Sequence, residues 1–130
     1  MQEQHTIKVQ LLKKGVDLVQ SEIAKIEKTL IVNESAIVKT YLRMADLLKT
    51  INLSPVSNPD YLFVTGHHLV ANITLGVKAG DLAPFKIRLN GSTEEIDCKE
   101  GFALLAGEIT GFQVSTTIEE NISISVYVAG

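Results

Sequence analysis

The chain has 130 residues, 45% of them hydrophobic, and a formal net charge of −3 at pH 7 with no basic run. That balance argues against a nucleic-acid partner and an electrostatic membrane anchor, and no apolar run is long enough to span a bilayer as a helix. Cys98 is the single cysteine, so no intrachain disulfide can form and no Cys/His zinc spacing exists.

The first residues, Met1-Gln2-Glu3-Gln4-His5-Thr6, are polar and lack a signal-peptide core. They read as a docking segment or a frayed tip. From Val9 onward, positions in steps of three and four, all but Asn33 and Thr40 apolar, form one series: Val9, Leu12, Val16, Val19, Ile23, Ile26, Leu30, Asn33, Ile37, Thr40, Met44, Leu47 and Ile51. This spacing predicts a coiled-coil helix, roughly 65 Å long at about 1.5 Å per residue. β-Branched residues at both seam positions (Val16, Val19, Ile23, Ile26) favour three strands over two, so a homotrimer is expected with these side chains on its axis. Asn33 is then a polar layer that fixes register; the other reading makes it the N-cap of a second helix in an antiparallel hairpin. The flanking charges disagree with a parallel coil. Lys8 would face Lys13 and Glu22 would face Glu27 on a neighbouring chain, and Gly15 weakens the helix.

Residues 1–52 are accordingly expected to form a helical stalk. Residues 53–60, with Pro55 and Pro59, read as a neck. From Tyr61 the period changes to two, which marks half-buried strands. Leu69–Val77, Phe85–Leu89 and Ile122–Val128 alternate throughout, and Tyr61–Thr65, Glu95–Cys98, Phe102–Ala106 and Gly111–Thr116 are shorter candidates. Asn90-Gly91 is a strong hairpin-turn dipeptide. Residues 61–130 thus predict a small antiparallel β-sandwich or barrel head. The expected fold class is α+β, a trimeric N-terminal coiled coil followed by this head.

No motif places a catalytic group. Ser, His and Asp occur without a nucleophile elbow, and nothing resembles a phosphate loop or dinucleotide fingerprint. His67 and His68 are adjacent, so in a strand they point to opposite faces and cannot chelate one ion. No cofactor, no metal and no enzymatic activity are expected. The polar strand positions Asn72, Thr74, Lys86, Arg88, Ser123, Ser125 and Tyr127 are the candidate contact surface, suited to a carbohydrate or a protein.

This layout, a slender N-terminal coil, a Pro-bounded neck and a compact β head, resembles the trimeric fibres, head fibres and capsid decoration proteins of tailed bacteriophages. Leu30-Ile31-Val32-Asn33 is also similar to the Val-x-x-Asn pattern of trimeric fibres and adhesins, although Leu replaces Val and the motif occurs once. The resemblance implies a non-enzymatic virion component. It would be a homotrimer on the virion surface, docked to other virion proteins through its N-terminal segment and offering its head to a cell-surface glycan or receptor. The alternative is a soluble trimeric carbohydrate- or receptor-binding module.

Overall fold

The computed structural model describes residues 2–14 and 20–130. Ten strands and one 3-10 turn are assigned among them, and the chain divides into two compact units, Met1–Asn33 and Glu34–Gly130. The proline-rich stretch 53–60 lies inside the second unit.

Among the described residues no long coiled-coil helix exists. Where the heptads run, the chain forms β1 (Glu3–Lys14), β2 (Gln20–Val32), β3 (Ser35–Leu42), the 3-10 turn Met44–Asp46 and β4 (Lys49–Thr50). Each step of three switches between odd and even positions, and in a strand those lie on opposite faces. Val9 and Leu12 therefore sit back to back on β1, as do Ile37 and Thr40 on β3. Ile26 and Leu30 lie on β2, Asn33 in an exposed bend before β3, Met44 in the turn, Leu47 just past it, and Ile51 in the core of the second unit. No helix carries the described members of this series along one face. Val16, Val19 and the side chain of Ile23 lie outside the described residues.

The first unit is an antiparallel hairpin in which β1 pairs with β2 from Glu3↔Val32 to Lys14↔Gln20. Its register repairs the charge conflict of the coil: Lys8 lies directly opposite Glu27. Leu11 faces Ala24 but Leu12 faces Glu22, so β2 carries one extra residue, a bulge of the kind that increases local twist.

The second unit holds β3, β4 and six further strands: β5 (Tyr61–His68), β6 (Phe85–Leu89), β7 (Ile96–Cys98), β8 (Phe102–Ala106), β9 (Phe112–Ser115) and β10 (Ile122–Ala129). They form two antiparallel four-stranded sheets, ordered β3-β10-β5-β8 and β4-β9-β6-β7. Counted from β3, this is the 1-8-3-6 and 2-7-4-5 order of an eight-stranded jelly roll. The head expected as a sandwich is thus a sandwich, but it begins at Glu34 and takes two strands from the supposed stalk.

Alternation builds the core between the sheets. Ile122, Ile124, Val126 and Val128 of β10 are fully buried, and so are Leu62 and Val64 of β5, Phe85 and Ile87 of β6, and Phe112 and Val114 of β9. Gly66 lets the sheets approach. A Cβ there would lie 2.6 Å from the Ala83 carbonyl oxygen and 2.8 Å from the Phe85 ring. Asn90 and Gly91 both take positive φ, 52° and 73°, and the Ser92 amide donates to Leu89 O at 2.9 Å, as a tight hairpin turn requires. Leu69–Val77 departs from expectation. Its alternation finds no partner strand and folds back on itself instead, with Asn72 and Val77 exchanging backbone hydrogen bonds. Ile73, at the tip of that turn, is 97% exposed.

Candidate interaction surfaces

Cross-strand partners share a face, so the hairpin register sorts its side chains without ambiguity. One face carries His5/Leu30, Ile7/Lys28, Val9/Ile26 and Leu11/Ala24; the other carries Thr6/Thr29, Lys8/Glu27 and Gln10/Lys25. The second is mostly polar and internally bonded, although Ile31, opposite Gln4, and Leu12, opposite Glu22, are also exposed on it. The Thr6 and Thr29 hydroxyls lie 3.1 Å apart, and Gln10 Nε2 donates to Glu22 Oε2 at 2.8 Å. The first is largely apolar and open, with Leu11 54% and Ile26 64% exposed, and it also carries His5 and Lys28. A single two-stranded sheet is marginal in water, so this face is the part of the hairpin that most needs cover.

The candidate contact residues do not come together. Ser123, Ser125 and Tyr127 lie on the outer face of the β3-β10-β5-β8 sheet. Lys86 and Arg88 lie on the outer face of the other sheet, where Lys86 is opposite Asp97 and Arg88 Nη2 is 3.4 Å from Glu95 Oε1. Asn72 is spent within the fold, its Nδ2 donating to Glu120 Oε1 at 3.0 Å, and Thr74 sits on the exposed turn.

The outer face around Ser123, Ser125 and Tyr127 is itself divided. Register places Ile37, Tyr127, Phe63 and Leu104 in one row, Lys39, Ser125, Thr65 and Phe102 in the next, and Tyr41, Ser123 and His67 in the third. The first row is apolar. At the other end Tyr41, 65% exposed, joins Lys39, Ser123, Ser125, Leu69 and Lys49 around an open groove of about 540 Å³. Lys49 reaches over from β4, and its Nζ donates to Tyr41 O at 2.8 Å. Sequence reasoning missed Tyr41, Lys39 and Lys49 because it placed them in a helix. Their signal was the alternation of Ile37, Lys39 and Tyr41 with Ala36, Val38 and Leu42.

The titratable groups elsewhere serve the fold. The Arg43 backbone N–H, followed by its guanidinium, holds the Asp46 carboxyl below the usual carboxylate range and closes the 3-10 turn. Burial, with the Asp97 charge beside it, pushes the Cys98 thiol up, which disfavours the nucleophilic thiolate. His67 faces outward and His68 is buried on the opposite side of β5. Among the described residues no three His, Cys, Asp or Glu side chains gather where they could hold a metal ion. No helix among them is long and apolar enough to cross a membrane. Compared with known proteins, the chain matches no family model, no curated protein and no solved structure.

Proposed function

We propose that this chain is a non-enzymatic structural component of a virus particle, a fibre or decoration protein that trimerises through its N-terminal hairpin and displays its jelly-roll body. The observation that carries the reading is the open apolar face of Ile7, Val9, Leu11 and Ile26 on a sheet of only two strands. Such a patch marks an interface. A second and third copy of the same hairpin are the natural occupants. Three hairpins with their apolar faces inward cover one another around a single axis and leave Lys8, Glu27, Gln10 and Lys25 in water. The jelly roll supports the particle setting by analogy alone, since capsid proteins and lectins both use it.

Sedimentation equilibrium should give three chain masses for the native protein and one for Ile26→Lys. A native monomer throughout the micromolar range would overturn assembly through the hairpin. The particle setting is tested separately, by following the chain in a density gradient of virus particles. Failure to band with them would remove that setting and leave the trimer standing.

A further inference from the structure

We propose that the groove between Tyr41, Lys39, Lys49, Ser123 and Ser125 binds an acidic saccharide, one sugar unit bearing a carboxylate. The inference holds whether or not the chain sits on a particle.

The geometry is that of a small block on the sheet surface. Tyr41 lies beside Ser123, and Lys39 beside Ser125, across the β3/β10 pair. Neighbours across strands are about 5 Å apart, and neighbours along one face of a strand about 7 Å. A pyranose ring fits this block. The phenol of Tyr41 offers an aromatic face to the C–H side of a sugar ring. The serine hydroxyls both donate and accept, as the alternating hydroxyls of a sugar need. Leu69 supplies an apolar wall.

Charge selects the acid. The whole chain carries more acidic than basic residues, 15 against 12. The groove nevertheless has two lysines and no carboxylate among its lining residues. Lys49 is fixed by its bond to Tyr41 O, and an ammonium has two further donors to give. A protein segment docking here is less suited, because the lining is hydroxyl-rich and the neighbouring apolar row of Ile37 and Phe63 contributes nothing to it.

Titration of the native protein with 3′-sialyllactose, trigalacturonate, lactose and inorganic phosphate, followed by backbone amide NMR, tests the proposal. Shifts at Lys39, Tyr41, Ser123 and Ser125 are expected with the two acidic saccharides. Lactose should bind more weakly, and phosphate should leave the Tyr41 environment unchanged. Tyr41→Ala should weaken binding roughly tenfold, and Lys39→Ala about threefold. Lys86→Ala, on the opposite sheet, should change nothing. Equal responses to sialyllactose and lactose, equal responses to phosphate, or shifts located elsewhere would each overturn the assignment.

Discussion

Gly66 shows how closely the two sheets depend on a single missing atom. Its neighbours stand at distances no side chain accepts: 2.6 Å to the Ala83 carbonyl and 2.8 Å to Phe85, itself fully buried. The Phe85 ring cannot move without disturbing the core. Gly66→Ala is therefore an overpacking change, expected to destabilise the chain by roughly 2 kcal/mol in urea unfolding. Asp46 gives a pH-dependent counterpart. Its folded pKa is lowered by Arg43, so its contribution is present above the ordinary carboxylate pKa of about 3.9. That contribution is lost as pH falls through the folded value. The melting temperature of Asp46→Asn should lie below that of the native chain at neutral pH. The gap should narrow under strongly acidic conditions; a constant gap would mean that the turn depends on shape, not charge.

At the level of elements, the hairpin rests on opposite charges as well as on its apolar face. Glu27→Lys places a second cation against Lys8 and should cost about 0.5 kcal/mol of hairpin stability. Amide exchange should quicken at Val9 and Ile26, stay unchanged in β10, and recover when Lys8→Glu is added. The same pair explains what could be read in advance. β6, β10 and the Asn90-Gly91 turn were legible from alternation and a turn dipeptide, and β8 from a short apolar run bounded by Gly101 and Gly107. The stretch from Val9 to Ile51 had two interpretations. Its three-and-four spacing satisfied a heptad, while Ile7, Val9 and Leu11, or Ala36, Val38 and Leu42, satisfied a strand. The like-charge conflicts of the coil were the physical sign that the second interpretation was right. Leu69–Val77 failed for the opposite reason: alternation alone makes no strand when no neighbour pairs with it. Of the groove, Ser123 and Ser125 were visible because β10 was visible. Tyr41, Lys39 and Lys49 were hidden with β3 and β4.

Over the whole molecule, the two units differ in what holds them. The hairpin consists of neighbouring strands that can meet early, whereas the sandwich is built from distant ones. β10 lies between β3 and β5, pairing Ala129 with both Ser35 and Tyr61. During synthesis β3 must wait unpaired until β10 has left the ribosome, and β5, which can pair earlier with β8, has its other edge uncovered until then. Long-range pairing of this kind folds slowly, in milliseconds to seconds. A nascent chain stalled before Ile122 should therefore be cut readily by protease throughout residues 34–121, and become resistant only when β10 emerges. A resistant core in the shorter chain would show that the second sheet assembles first. If it does not, the order of translation leaves residues 34–121 exposed until that one strand appears, and their dependence on chaperones should track the delay.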